Sequence, residues 1–118
     1  MTLPEKLDLA LVTRLRQVVD GEVATEAELR ALDDEAGGWL RATEAQLRAA
    51  EDRLTALNAD PATPLAEIAA EVRRAEALSR ERDEARRLIA GLEQRTRELR
   101  TAWLKHHADA GSPFGSPR

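Results

Sequence analysis

The residues that most resemble a metal site stand near the end of the sequence, where His106 and His107 are followed by Asp109. Two imidazoles that bind one metal ion from a helix are usually four residues apart, because that spacing puts them on the same face. Adjacent helical residues instead point about 100° apart. A histidine near the C-terminal end of a helix is also stabilised by the helix dipole without any metal. We therefore predict no metal site and no cofactor.

Side chains for covalent or acid–base catalysis are few and scattered. The chain has no cysteine, and its only serines are Ser79, Ser112 and Ser116. The sequence contains neither a glycine-rich phosphate loop nor the strand–turn–helix motif of a nucleophilic serine. Several carboxylates fall on faces predicted to be solvated or at a helix start: Glu22, Glu26, Asp33, Asp34 and Glu35. We predict no catalytic residues, no enzymatic activity and no small-molecule substrate.

Two arginine pairs, Arg73-Arg74 and Arg86-Arg87, are the feature closest to a nucleic-acid signal. Phosphate binding requires a basic face with few competing carboxylates. The members of each pair point to different sides of a helix, and the whole chain has a formal net charge of −4. The interleaved carboxylates are Glu71, Glu76, Asp83 and Glu84. A nucleic-acid-associated helical protein using this Arg-rich stretch is therefore the alternative hypothesis, which the charge pattern disfavours.

The composition is typical of long helices or coiled coil. Apolar residues make up 42% of the 118 residues and charged residues 34%, but aromatic residues only 3%. Since large side chains dominate the area removed from water, such a core is thin and spread along a rod. No apolar run approaches the roughly 20 residues that span a bilayer. With no cysteine either, we expect a cytoplasmic protein without membrane contact.

Seven residues, 58–64, separate two long stretches with few helix breakers, and they predict the architecture. Thr25 and Glu28 fit a capping box at the start of the second helix, and Pro64 suits the first turn of the third. We predict helices over 4–20, 25–57 and 64–106, followed by a flexible tail over 108–118 that is rich in Gly, Ser and Pro. A short connection makes neighbours of the helices that it joins. The predicted fold is all-α: a long antiparallel, coiled-coil-like hairpin with the N-terminal helix packed at its open end.

Apolar residues spaced three and four apart predict the faces that pair within this hairpin. A four-residue stutter between Ala36 and Leu40 contains Gly37 and Gly38, which predict either a kink or close helix contact there, or a hinge beside Trp39. Arg82 interrupts the second series and is predicted to lie at its edge. The series in the second helix is Leu29, Leu32, Ala36, Leu40, Thr43, Leu47, Ala50, Leu54 and Leu57. The series in the third helix is Leu65, Ile68, Val72, Ala75, Leu78, Arg82, Ala85, Ile89, Leu92, Thr96, Leu99 and Trp103.

The first helix has an apolar stripe too wide for one neighbour, which predicts contacts on two sides, within the chain or across a dimer. The third helix overhangs the second by about two turns, and the first helix is expected to cover this overhang. Trp103 then either packs beneath the first helix or contacts a partner. We predict a protein–protein interaction or scaffold subunit that binds a protein partner or forms a homo-oligomer. The candidate partner-binding residues are Leu11, Leu15, Val18, Trp39 and Trp103.

Overall fold

The architecture is an antiparallel hairpin of two long helices with a shorter helix packed against both. It comes from a computed structural model that describes the backbone of residues 3–111 and the side chains of residues 9–108. Helix α1 spans Leu3–Val19, α2 spans Glu26–Ala59 and α3 spans Leu65–Gly111. The prediction of an all-α hairpin with an N-terminal helix is confirmed. The rod measures 82 × 25 × 18 Å. We call residues 9–43 and 81–108 the open-end half and residues 44–80 the loop-end half.

Helix α1 ends in a tight turn at Gly21, whose φ is +112°. The N–H of Glu22 donates to the carbonyl of Gln17 at 2.9 Å, and the N–H of Gly21 donates to Val18 at 3.1 Å. These two bonds form the Schellman arrangement, in which a left-handed glycine satisfies the last carbonyls of a helix. The turn lets the chain leave α1 and start α2 within six residues.

The start of α2 has half of the predicted capping box. The Thr25 side chain accepts a hydrogen bond from the Glu28 N–H at 3.0 Å. The reciprocal bond, from the Thr25 N–H to the Glu28 carboxylate, is not among the hydrogen bonds of the described residues, and this carboxylate accepts from Arg14 Nε at 2.6 Å instead. A charged bond between two helices therefore replaces a local bond at the cap, and it holds α1 against α2.

The loop between α2 and α3 is organised by Asp60. Its Oδ1 accepts from the Ala62 N–H at 2.9 Å, and its carbonyl accepts from the Thr63 N–H at 3.1 Å. Helix α3 then begins at Leu65 and continues to Gly111, five residues beyond the predicted end. The first residues of the predicted tail are thus helical in the backbone, and residues 112–118 lie outside the described part of the chain.

Large buried side chains are concentrated in the open-end half, where all three helices meet. Leu15 and Val18 of α1 and Leu92 of α3 are almost completely inaccessible to solvent. The loop-end half has a smaller cluster made of Leu47, Ala50 and Leu78. The buried members of the open-end cluster are Leu11, Leu15, Val18, Leu29, Leu32, Ala36, Trp39, Ala85 and Leu92.

Trp39 occupies the position in the α2 face that the sequence pattern assigned to Leu40. Trp39 is buried and Leu40 is only partly buried against the same cluster. The stutter therefore lies one turn later than predicted, between Trp39 and Leu47. The indole is the larger apolar group, and its N–H also finds an acceptor across the hairpin, so burying it is favoured over burying Leu40.

Gly37 and Gly38 lie in uninterrupted helix. A Cβ on Gly38 would meet no atom within 4 Å, so the predicted close helix contact is absent at Gly38 among the described residues. The close approach is at Gly91 of α3, where a Cβ would lie 3.0 Å from Val19 Cγ1. Gly91 thus leaves room for the Val19 side chain of α1 against α3.

The face of α3 that meets α2 follows one unbroken seven-residue repeat. The predicted series started instead from Leu65 and Val72, and this part of the prediction is wrong because both side chains are exposed. Leu78, Ala85 and Leu92 are buried at steps of seven residues, and Glu71 continues this register toward the loop end in place of Leu65 and Val72. The most buried positions of this face are Glu71, Leu78, Ala85 and Leu92. Arg82 is half-buried and donates to Ser79 Oγ, at the edge of the face as predicted.

Helix α1 runs parallel to α3 and antiparallel to α2. Arg16 pairs with Glu84, whereas Arg95 donates to the carbonyl of Gly21 at 3.2 Å. From the turn at Gly21, α1 therefore extends toward the loop end and away from the overhang. The prediction that α1 covers the overhang is wrong, and Trp103 is 58% exposed.

Candidate functional site

The structure separates the five predicted partner-binding residues into two groups. Leu11, Leu15, Val18 and Trp39 belong to the buried cluster of the open-end half, where they contact other parts of the same chain. Trp103 lies outside this cluster and is exposed on the overhang of α3. Of the five, Trp103 alone presents a large exposed surface.

Trp103 lies in a groove at the open end of the hairpin, with a volume of about 400 Å³. We call it the open-end groove. Next to Trp103, Leu104 is 55% exposed, and Leu99 is partly buried against the core. Exposed large apolar side chains grouped around a groove are characteristic of interaction surfaces. The lining residues are Ala24, Glu26, Leu29, Thr96, Leu99, Arg100, Trp103 and Leu104.

The groove exists because the repeat of α3 continues beyond the start of α2. Leu92, Thr96, Leu99 and Trp103 follow one another at steps of four, three and four residues, which keeps them on one face of α3. Leu92 is covered by the other helices, but α2 begins only at Glu26 and α1 turns back at Gly21. The end of this face, at Trp103, is therefore not covered by any other described helix.

The connection between α1 and α2 forms one wall of the groove and is fixed by Arg14. The Arg14 guanidinium forms a salt bridge with Glu28. It also lies 3.6 Å from the Glu22 carboxylate and donates to the carbonyl of Val23 at 3.3 Å. Ala24 is thereby held beside the open end, where it lines the groove. Sequence reasoning missed Arg14, since a lone arginine in an apolar stripe gives no sign of which carboxylate it meets.

Charges of both signs surround the groove. Arg100 lies 3.7 Å from Glu26 across its entrance. A second groove of about 320 Å³ adjoins it and shares Glu26, Leu29, Thr96 and Arg100 as lining residues. The second groove also has Asp33 and Arg97 in its walls. Arg30 on the α2 side and Glu93 on the α3 side also line this second groove, so its α2 side has a net negative charge and its α3 side a net positive charge.

Arg95 fixes the same end from the α3 side. One of its terminal nitrogens donates to Gly21, and another lies 3.9 Å from Glu98. Its Nε is buried without a hydrogen-bond partner among the described atoms. The guanidinium thus bridges α3 to the turn that ends α1 and positions the wall opposite the overhang.

A partly buried polar cluster links α2 and α3 where the two halves of the rod meet. Trp39 Nε1 donates to Glu81 Oε2 at 2.8 Å, and Thr43 Oγ1 donates to the same oxygen at 3.1 Å. Both donors come from the buried face of α2, so the carboxylate has partners despite its position. This arrangement fixes the register of the hairpin, and Trp39 acts in it as a core residue.

The histidine pair and the arginine pairs are not assembled into a recognisable site. His107 packs on the Trp103 ring with centroids 4.0 Å apart, while His106 lies 5.9 Å from His107. Within the described side chains there is no group of three metal-ligating residues. In the Arg-rich stretch, Arg86 donates to the Glu44 carboxylate at 2.9 Å.

Comparisons with known proteins found no relative of this chain. No protein-family model, no curated protein and no solved structure matches the chain. None of the described helices is both long enough and apolar enough to cross a bilayer.

Proposed function

We propose that this chain is a non-enzymatic interaction subunit that binds a protein helix through the open end of its hairpin. The observation that carries the proposal is the exposure of Trp103 and Leu104 beside the open-end groove. Tryptophan is enriched among the residues that dominate binding energy at protein interfaces. Covering two such side chains with an apolar partner removes their surface from water, at about 25 cal/mol per Å².

The shape of the molecule favours a scaffold role for such a subunit. The binding end is built on three packed helices and is held by Arg14 and Arg95, so the groove is formed before a partner arrives. A preformed groove loses little conformational freedom on binding. The loop end lies at the other end of an 82 Å rod, which separates whatever is bound at the groove from the 58–64 loop.

A photo-crosslinking experiment in cells tests this proposal. A photoreactive amino acid is placed at position 103 in one variant and at position 65 in a control. Leu65 is 83% exposed and lies at the loop end, so it is more accessible than Trp103 but far from the groove. We expect discrete crosslinked protein adducts from position 103 and none of comparable yield from position 65.

Equal adduct yields at the two positions, or none at position 103, would contradict the proposal. The mass of each adduct also distinguishes a second copy of the chain from another protein. The proposal holds with either partner, so the identity of the partner is a separate question.

A further inference from the structure

We infer that His107 makes binding at the open end sensitive to pH, and that protonation of its imidazole weakens the binding of a partner. The inference rests on the proposed function, because it concerns the same surface, and it goes further by giving that surface a means of regulation. Two observations carry it: the contact between His107 and Trp103, and the position of His107 on the face that a partner covers.

The His107 ring covers part of the Trp103 side chain. The two ring centroids are 4.0 Å apart, with an angle of 52° between the ring planes. Trp103 is nevertheless 58% exposed, so the imidazole and solvent share its surface. A partner that covers the indole must therefore either displace the imidazole or enclose it in the interface.

His107 continues the face of α3 that ends uncovered at Trp103. It follows Trp103 by four residues, the same step that leads from Leu92 to Thr96 and from Leu99 to Trp103. Residues four apart lie on one side of a helix. An apolar partner laid along this face therefore meets the imidazole next to the indole. In the free chain His107 is exposed to solvent.

Histidine is the side chain that ordinarily changes charge between about pH 5 and 8. A cation within about 6 Å of an indole centroid is attracted by the ring, and at an exposed site this changes an equilibrium constant by about two- to fivefold. A partner that displaces the protonated His107 removes this attraction. A partner that encloses the ring instead removes water from its charge, which also disfavours the bound state. Both routes have the same sign: the protonated chain binds less tightly, and binding releases a proton.

The titratable groups near His107 on its own helix are His106, Lys105 and Asp109. The His106 ring lies 5.9 Å from the His107 ring and adds a like charge when both are protonated. Lys105 and Asp109 are each two residues away, which places them about 160° around α3 from His107. They therefore lie on the side of the helix opposite the face that a partner covers.

The other helices bring their charges to an earlier level of α3. Glu26, in the first turn of α2, pairs with Arg100, which is seven residues and about 10 Å before His107 along the helix. Helix α1 turns back at Gly21, before the overhang. Among the described side chains no carboxylate forms an ion pair with His107. In the free chain the charged imidazole is thus stabilised by the indole and by water.

Nuclear magnetic resonance of the chain alone tests the contact. The chain has two histidines, so both imidazoles can be followed through a pH titration and assigned with His106→Gln and His107→Gln. We expect the indole to shift the His107 ring protons upfield of those of His106 at about pH 5.5, where the ring is charged. The difference should disappear in Trp103→Leu. His107 signals that coincide with those of His106 in the unmodified chain would overturn the inference.

The yield of a crosslinked adduct measures the effect on binding. The photoreactive amino acid is placed at position 104, which keeps both Trp103 and His107, and clarified lysate is irradiated at about pH 8 and at about pH 5.5. The adduct followed is the one whose protein component is also captured from position 103 in cells. We expect its yield, at a subsaturating concentration of the chain, to fall by about threefold or more at the lower pH.

Two variants separate His107 from every other group that titrates in the lysate. In His107→Gln the fall should disappear, because the side chain stays polar but can no longer take up a proton. The matched control is His106→Gln, which removes the adjacent imidazole and should keep the fall. Circular dichroism at both pH values establishes that each variant is still helical.

A yield that is equal at the two pH values, a yield that rises at the lower pH, or an equal fall in His107→Gln would overturn the inference. In each of these cases the adduct itself still forms, so the proposed function stands. If position 103 gives no adduct in cells, the proposed function and the inference fail together.

Discussion

The two halves of the rod use the same pair of helices but are held together differently. In the open-end half, α1 adds Leu11, Leu15 and Val18 to the interface between α2 and α3. Among the described side chains, the loop-end half has no contribution from a third helix to its core cluster, whose buried members are Leu47, Ala50 and Leu78. An alanine-rich hairpin removes little apolar area from water, so a third helix is needed before a substantial core can form.

The two halves also differ in the hydrogen bonding of a glutamate carboxylate on α3, half-buried at Glu81 and buried at Glu71. Glu81, at the junction, accepts hydrogen bonds from Trp39 and Thr43. Glu71, in the loop-end half, has one oxygen 3.8 Å from Arg53 and the other buried without a partner among the described atoms. A buried polar atom without a partner costs about 1–3 kcal/mol. The open-end half is therefore predicted to be the stable platform and the loop-end half the weaker extension.

The largest expected effect comes from truncating equivalent leucines in the two halves. Leu92 and Leu78 are both buried on the same face of α3, two repeats apart. Leu92→Ala should lower the free energy of unfolding by about 3–5 kcal/mol, because the dense three-helix core cannot collapse around the cavity. Leu78→Ala should cost about 1–2 kcal/mol, since its few neighbours can close the space. Chemical denaturation followed by circular dichroism measures both, and equal losses would mean that the halves are packed alike.

A smaller gain is expected from replacing Glu71. Glu71→Leu continues the repeat of Leu78 and Leu92 and removes the buried oxygen that has no partner. We expect the free energy of unfolding to rise by about 1–2 kcal/mol, since apolar groups often replace buried charges without loss. Glu67→Leu is the control, an exposed glutamate one turn earlier on the same helix, where the change should stay within about 0.5 kcal/mol. A loss of stability in Glu71→Leu would show that the contact with Arg53 outweighs the unsatisfied oxygen.

The smallest effects are expected from two glycines in the open-end half, and they should have opposite signs. Gly38→Ala adds a Cβ in open space and should stabilise the protein by about 1 kcal/mol through helix propensity. Gly91→Ala gains the same propensity but places its Cβ 3.0 Å from Val19 Cγ1, so we expect a net loss of about 1 kcal/mol. Thermal denaturation compares the two variants. The double variant Gly91→Ala with Val19→Ala separates helix propensity from steric clash, because removing the Val19 methyl groups should remove the clash with the new Cβ.

Most of the backbone could be predicted from local signals, whereas the site could not. Thr25, Asp60 and the proline-containing loop mark helix boundaries with groups that act within a few residues. The spacing predicts Trp103 on the apolar face of α3, either beneath the first helix or in contact with a partner, and its exposure depends on the direction of α1. That direction is set by the turn at Gly21 and by the approach of Val19 to Gly91, which are contacts between distant parts of the chain.

The sequence alone determined three helices, an antiparallel hairpin and an α3 that extends beyond α2. Helix periodicity, helix breakers and loop length are local properties of the chain. Tertiary packing decided which residues are covered. It buried Trp39 rather than Leu40, placed Glu71 in the α3 face and left Trp103 and Leu104 uncovered at the open end. The physical reason is that the burial of a side chain depends on which helices pack over it. Helix α1 has enough apolar surface to cover one end of the hairpin core, but it is directed away from the overhang.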